Sequence, residues 1–385
     1  MCWERVGGMP EPALSILSVF GTRPEAVKMA PVVERLQRTP GVLSRVCVTA
    51  QHREMLDQVL GLFGIVPDVD LDLMEPDQSL ADLTASVFRA LDPVLRDLRP
   101  AWVVVQGDTT TVMASALVAY YHHCRVAHVE AGLRTGDKWQ PFPEEINRRV
   151  AGAVADLHFA PTAWARDNLL GEGVAAERIV VTGNPVIDAL QAIAQRPYDW
   201  SSGPLARIPR DRRLILVTAH RRENFGEPLE AILEALRRLA SAYADRIHLV
   251  YPLHLNPHVQ EPARRRLAGI QNISLIPPLD YLPMVNLLKE CTLVLTDSGG
   301  LQEEGPALGK PVLVLRRVTE RPEAVEAGTA RLVGTDTEAI VAETRRLLDD
   351  DKAYTAMAHA VNPFGDGHAA EHIVDALLQA AVRTV

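Results

Sequence analysis

Cysteine is scarce: Cys2, Cys47, Cys124 and Cys291 are the only four in 385 residues, and no two form a CxxC pair. That spacing excludes a zinc ribbon and a disulfide framework, and reduced thiols in the cytoplasm are the expectation. No apolar run approaches the ~20 residues that span a bilayer, so no membrane partner is expected. Residues 1–12, MCWERVGGMPEP, lack the apolar stretch of a signal peptide and read as a disordered lead-in, with Met9 an alternative start. Long basic blocks are missing as well. Against a formal net charge of −9, a nucleic-acid partner would need a strong basic patch, so none is expected. Arg264–Arg266 suits a solvated helix face. The twelve histidines form no ligand-spaced cluster with carboxylates, which argues against a metal. His122-His123 point different ways on a helix and read as surface. Neither GxGxxG nor a Walker lysine motif is present, so the chain carries no fingerprint of a nicotinamide or P-loop site.

What is present is a globular composition, 47% hydrophobic and 23% charged, long enough for two or three domains. Short, β-branched apolar runs alternate with amphipathic stretches. The strand-like runs of the first half are Leu14–Phe20, Arg45–Ala50, Trp102–Gln106, Val126–Val129, Leu157–Ala160 and Ile179–Thr182. Those of the second half are Leu214–Thr218, Ile247–Tyr251, Ile273–Ile276, Leu293–Thr296, Val312–Leu315 and Arg331–Val333. Helical patterns such as Glu25–Gln37, Leu80–Leu98, Pro228–Tyr243 and Ala339–Leu348 fall between them. Strands apolar on both faces and separated by helices predict parallel sheets covered on both sides. Two sets of about six predict an α/β protein of two Rossmann-like, doubly wound domains, residues 13–185 and 186–368, facing a cleft. In such sheets ligands bind beyond the carboxyl ends of the strands.

The informative polar residues fall after those ends. Gly21-Thr22-Arg23-Pro24-Glu25 leads from a strand into a helix with Pro24 at its first position, placing Arg23 and Lys28 near a helix N-terminus that favours anions. Asp108 precedes three threonines, which also suit an N-cap. Glu130 ends a strand beside small residues; a buried Glu needs a partner, and Arg134 is a candidate. Glu144 and Glu145 fall in the first turn of a helix, where acids are favoured in any case. His220, flanked by Arg221 and Arg222, is a candidate acid, base or phosphate donor. Asp297-Ser298-Gly299-Gly300 is the strongest local signal: two glycines allow close approach, and backbone N–H groups with Ser298 suit a diphosphate. Glu304 lies further along, toward ribose hydroxyls.

Taken together, FGTRPEAVKMAP (Phe20–Pro31), GDTTT (Gly107–Thr111), HVEAGLRTGD (His128–Asp137), PFPEEINRR (Pro141–Arg149), TAHRREN (Thr218–Asn224) and TDSGGLQEE (Thr296–Glu304) resemble the non-hydrolysing UDP-N-acetylglucosamine 2-epimerases. The match runs in order from about Ser15 to the C-terminus. The resemblance implies a glycosyltransferase-B-like pair of domains, a homodimer, and a final helix near 369–385 packing back on the first domain. It implies reversible conversion of UDP-N-acetylglucosamine to UDP-N-acetylmannosamine with no cofactor. It also implies that Asp108, Glu130 and Glu144 carry the chemistry, with His220 at the diphosphate. Arg23, Lys28, Ser298, Gly299, Gly300, Glu304 and Arg321 then fit UDP-sugar binding.

The resemblance also carries departures. Relatives often have Gln where Leu279 stands and Phe where Met284 stands, beside the uracil; Met still packs on a base. Some relatives bind a second UDP-N-acetylglucosamine as an activator near Gln51 and His52. Both residues are retained here, but Glu54 replaces an amide, and its charge should weaken such a site. A hydrolysing epimerase and a UDP-sugar glycosyltransferase are the alternatives.

Overall fold

The computed structural model describes residues 14–50, 53–75 and 77–382. Residues 1–13, which include the lead-in and Met9, lie outside the described residues, as do Gln51 and His52. The chain divides into two compact units, Met1–Ala189 with Gly367–Val385, and Leu190–Asp366.

Unit 1 holds seven parallel strands: β1 Leu14–Phe20, β2 Val42–Val48, β3 Val69–Asp70, β4 Trp102–Gln106, β5 Arg125–Val129, β6 Leu157–Ala160 and β7 Ile179–Val181. Their order is β3-β2-β1-β4-β5-β6-β7. Unit 2 holds six: β8 Arg213–Thr218, β9 Ile247–Pro252, β10 Ile273–Ile276, β11 Cys291–Thr296, β12 Val312–Val314 and β13 Ala330–Leu332, in the order β10-β9-β8-β11-β12-β13. The continuous apolar runs have the reason expected of them. Leu17, Val19, Val103, Val105 and Val126 lie inside one core, and Ile215, Val217, Leu249, Leu293 and Leu295 inside the other. Strand order reverses between β1 and β4 and between β8 and β11, so the loops after these strands are the switch points where open α/β sheets bind ligands.

Local chemistry sets the entry to each helix. The helix Arg23–Arg38 starts on a capping box in which Thr22 accepts from Glu25 N and Glu25 accepts from Thr22 N. Pro24 therefore stands at its second position, one later than the spacing suggested. The helix Ala369–Val382 packs on Arg23–Arg38 within unit 1, joined by the Arg35–Glu371 pair at 3.0 Å. Its first turn is capped by Asp188, which accepts from Ala370 N at 2.8 Å and Ala369 N at 3.2 Å.

Candidate active site

In unit 1 the turn after β4 and the turn after β5 face one another. Glu130 takes the left-handed conformation, φ 63°, which is unusual for a residue with a side chain. Its carboxylate is almost fully enclosed. Lys28 Nζ donates to Oε1 at 2.6 Å and to Oε2 at 2.7 Å, Asn184 Nδ2 donates to Oε1 at 3.0 Å, and Gln106 Nε2 donates to Oε2. Gly107, φ 83°, occupies the turn opposite; a Cβ there would approach Glu130 Oε2 to 3.7 Å.

The expected Glu130–Arg134 pair does not form. Arg134 instead donates to both oxygens of Glu172, each at 2.7 Å, while Lys28, expected in UDP-sugar binding, takes Glu130. The reason is geometric: the chain turns through Gly132, φ 91°, between Glu130 and Arg134, and Lys28 on the first helix lies within reach of β5.

Asp108 follows Gly107. Its Oδ2 accepts from Arg148 Nη2 at 2.6 Å, and its carbonyl accepts from Asn147 Nδ2 at 3.0 Å. Burial holds its carboxyl above the usual carboxylate range; Arg148 and Lys28 oppose that, while Glu130 and Glu144 add to it. The two other predicted carboxylates thus both act on Asp108. Glu144 opens the helix Glu144–Val154 that also supplies Arg148, and its Oε2 is buried without a hydrogen-bond partner among the described residues. Its neighbour Glu145 serves the local structure. Fully buried, it accepts from Thr135 N at 3.1 Å.

Two residues of this site were not singled out from sequence. Glu25 accepts from Gly21 N and Thr22 N at 2.7 Å and from Thr109 Oγ1 at 2.5 Å, tying the turn after β1 to the turn after β4. The spacing from Thr22 to Glu25 carried that signal as a capping box. His128, inside β5, donates from Nε2 to Gly107 O at 2.7 Å, and burial pushes its pKa down to about 4. The neutral ring therefore holds the carbonyl beside Asp108. Nothing in a strand-interior histidine marks it in advance. Arg23 stands at the first position of its helix, next to Thr22.

In unit 2 the turns after β8 and β11 meet in the same way. Asp297 is fully buried; its Oδ2 accepts from His220 N at 2.7 Å, Arg221 N at 2.8 Å and Asn224 Nδ2 at 3.1 Å. Burial holds the His220 imidazole below its ordinary pKa; Asp297 opposes that, and His254, stacked on it at 5.4 Å between centroids, adds to it. Ser298 N donates to Thr296 Oγ1 at 2.9 Å. Gly299 is required by an arginine: a Cβ there would stand 3.3 Å from Arg321 Cζ. Arg321 is itself anchored, Nε to Glu303 at 2.7 Å and Nη1 to Glu320 at 3.0 Å. Gly300 precedes the short helix Leu301–Ala307, and Glu304 on that helix accepts from Tyr281 Oη at 2.8 Å. Tyr281 opens the helix Tyr281–Glu290, so this bond links Glu304 to the segment of buried Leu279 and half-buried Met284. The structure thus gathers His220, Ser298, Gly299 and Arg321 at one strand end, with Glu304, Leu279 and Met284 connected to it.

Among the described residues, no group of three or more His, Cys, Asp or Glu side chains could hold a metal ion, and no helix is long and apolar enough to cross a membrane. The cysteines Cys47, Cys124 and Cys291 are free.

The chain as a whole is similar to known proteins. The UDP-N-acetylglucosamine 2-epimerase family model matches residues 34–378, a span that takes in all the predicted site residues except Arg23 and Lys28. The UDP-N-acetylglucosamine 2-epimerase of Escherichia coli K12 is 53% identical over 370 residues, covering 94% of this chain and 98% of that protein. That of Bacillus subtilis 168 is 51% identical over 365 residues, 95% of each. The crystal structure of the Neisseria meningitidis UDP-GlcNAc 2-epimerase bound to UDP-GlcNAc superimposes with a TM-score of 0.88 at 46% identity, covering 95% of this chain and 100% of that one. With a family match across most of its length and relatives above half identity over nearly all of it, this chain belongs to the UDP-N-acetylglucosamine 2-epimerase family.

Proposed function

We propose that this protein interconverts UDP-N-acetylglucosamine and UDP-N-acetylmannosamine by eliminating UDP and adding it back. The observation that carries the reading is the carboxylate set of unit 1. Glu130 and Glu144 both raise the carboxyl of Asp108, Arg148 pairs with Asp108 and Lys28 pairs with Glu130. A diphosphate-binding protein has no use for three such groups.

The chemistry explains why they are needed. The C2 proton of the sugar has no adjacent carbonyl and is not acidic. Breaking the C1–O bond first builds positive charge at C1 and acidifies C2–H. Loss of UDP and that proton gives 2-acetamidoglucal; UDP then re-adds at C1 while a proton arrives at the opposite face of C2. The route requires proton-transfer groups on both faces and cationic stabilisation of the departing UDP. Asp108, Glu130 and Glu144 supply the first. His220, with Arg321, Ser298, Gly299 and Gly300, supplies the second; Glu304 takes the ribose, and Leu279 and Met284 the uracil side. Arg23 assists at the substrate, and Lys28 acts through Glu130. A homodimer belongs to the same reading through the family resemblance, and the free Cys47, Cys124 and Cys291 support a reducing, cytoplasmic setting.

Proton NMR of the protein with UDP-N-acetylglucosamine in D2O tests the reading. UDP-N-acetylmannosamine forms with loss of the C2 proton signal. Free UDP with free N-acetylmannosamine would mean a hydrolysing enzyme, and an unchanged spectrum from folded, UDP-binding protein would refute epimerisation. Asp108→Asn, Glu130→Gln and Glu144→Gln should each lower turnover by about a hundredfold or more; near wild-type rates would displace the mechanism from these residues.

A further inference from the structure

The switch point of unit 2 contains a buried charge to which the mechanism above assigns no role. Asp297 Oδ2 is saturated by His220 N, Arg221 N and Asn224 Nδ2, but Oδ1 is buried and accepts no hydrogen bond among the described residues. His220 Nδ1 stands 3.5 Å from it. A buried carboxylate oxygen without a donor is costly to maintain. A shift of the imidazole by about 0.5 Å brings the two atoms to ordinary hydrogen-bond distance.

The rest of the surroundings point the same way. Asp297 N donates to Thr218 O at 3.1 Å, and Tyr251 Oη donates to Ala219 O at 2.7 Å, so the backbone on either side of the pair is fixed. The side chain of His220 is 35% exposed, leaving room for a ligand at its outer edge. His254 lies flat on it, 12° from parallel. His254 Nδ1 accepts from Asn256 N at 3.1 Å, so its own proton resides on Nε2 and does not compete for Asp297. The charged groups that act on His220 are Asp297 and Glu223, which favour its protonated form, and His254 and Arg221, which oppose it.

We infer that Asp297 is a positioning residue for His220: its Oδ1 accepts a hydrogen bond from Nδ1–H, commits Nε2 to the substrate, and stabilises the imidazolium that meets the departing diphosphate. Holding Nδ1–H fixes the tautomer, so that in the protonated ring Nε2–H is the donor; the same division of labour operates in the aspartate–histidine pair of serine hydrolases. The inference rests on the reading of His220 as the group facing UDP.

The test uses the full-length protein and Asp297→Asn. The amide retains an acceptor for the three loop donors and turns an NH2 group toward Nδ1, where a carboxylate stood. The expected result is a fall in kcat of roughly 10–100-fold with KM for UDP-N-acetylglucosamine changed by less than about threefold. The alkaline limb of the kcat profile, where the imidazolium is lost, should move to lower pH by about one unit or more. Nitrogen-15 NMR of the histidine rings, with His220 assigned through His220→Gln, gives the direct readout: Nδ1–H in the wild type and Nε2–H in Asp297→Asn. An Nε2–H tautomer in the wild type overturns the inference whether or not the variant folds. So does a variant that loses activity only through weaker UDP binding, with the tautomer and pH profile unmoved. A wild type that makes no UDP-N-acetylmannosamine would fail the functional reading, while the tautomer measurement still decides the pairing of Asp297 with His220.

Discussion

Replacing Lys28 by methionine removes the cation from a carboxylate that is only 4% exposed, the lysine itself being 14% exposed. Gln106 and Asn184 remain as neutral donors to Glu130. Taking one partner from a buried ion pair typically costs about 3–5 kcal/mol, because the other charge is left uncompensated. The donors that stay, Gln106 and Asn184 among them, place the expectation toward the lower end. For a unit of this size, at about 2–4 °C per kcal/mol, the transition of unit 1 should fall by roughly 6–20 °C. Glu130→Gln alone should cost less, because an amide can still accept from lysine. The double variant should be more stable than the sum of the single losses implies, with a coupling energy of about 2 kcal/mol. Differential scanning calorimetry of the four proteins without ligand measures the cycle. A coupling below about 0.5 kcal/mol would refute the pairing and return Lys28 to direct UDP-sugar binding, where the sequence resemblance placed it. Kinetics give a second reading: a lysine that serves Glu130 lowers kcat when removed, and one that binds the UDP-sugar raises KM.

His128 and His158 are fully buried on neighbouring strands, and burial pulls both down to about 4. The unfolded chain takes up these protons near pH 6.5, so unit 1 should lose stability as pH falls from about 6.5 to 4, on the order of 3 kcal/mol per histidine. Urea unfolding stepped across that range measures it, and His158→Gln should have the shallower slope; an equal slope would contradict a buried neutral ring. Gly299→Ala sets a methyl 3.3 Å from Arg321 Cζ and 3.4 Å from Nη1, while Glu303 and Glu320 hold the guanidinium in place. UDP affinity, measured calorimetrically, should weaken by about tenfold with the fold intact, the loss of roughly one charge-assisted hydrogen bond; unchanged affinity would remove Arg321 from the site.

The fold was legible because a strand buried on both faces has no polar positions to hide in. Leu14–Phe20, Trp102–Gln106, Leu157–Ala160 and Ile273–Ile276 stand in the structure with the bounds their composition suggests. The two-residue strand Val69–Asp70 escaped because one apolar residue makes no run, and β2 starts earlier, at Val42, because that residue pairs with Leu14 at the first rung of the sheet. The candidate site was legible only in part. Polar residues after strand ends were conspicuous, so Asp108, Glu130 and His220 could be named from position. Their partners could not be. Lys28 and Glu130 lie 102 residues apart in the chain, and only the packing of the first helix against the sheet brings them to 2.6 Å. Local reasoning offered the nearest cation in sequence, Arg134, which turns out to serve Glu172. Asp297 was visible within a glycine-rich loop, but its bonds to the backbone of His220 and Arg221 exist only once β8 and β11 are adjacent.

The two units share their strand order over six positions and still use their switch points in opposite ways. In unit 1 the carboxylates stand at the ends of β4 and β5 and borrow cations from helices, Lys28 for Glu130 and Arg148 for Asp108. Pairing offsets the cost of placing such acids in a dry turn, and burial of Asp108 raises its carboxyl toward the range where protons are exchanged. In unit 2 the carboxylate that follows β11, Asp297, is turned inward and occupied by the backbone N–H groups of His220 and Arg221 and by Asn224 Nδ2. Of the cations beside Gly299, Arg221 is half-buried, with His220 next to it, while Arg321 is buried and paired with Glu303 and Glu320. One arrangement is suited to moving protons and the other to receiving an anion. Topology places both at a strand end and distinguishes neither; the side chains gathered there do. The elimination proposed above, which expels an anion while a proton leaves the neighbouring carbon, calls for side chains of both signs.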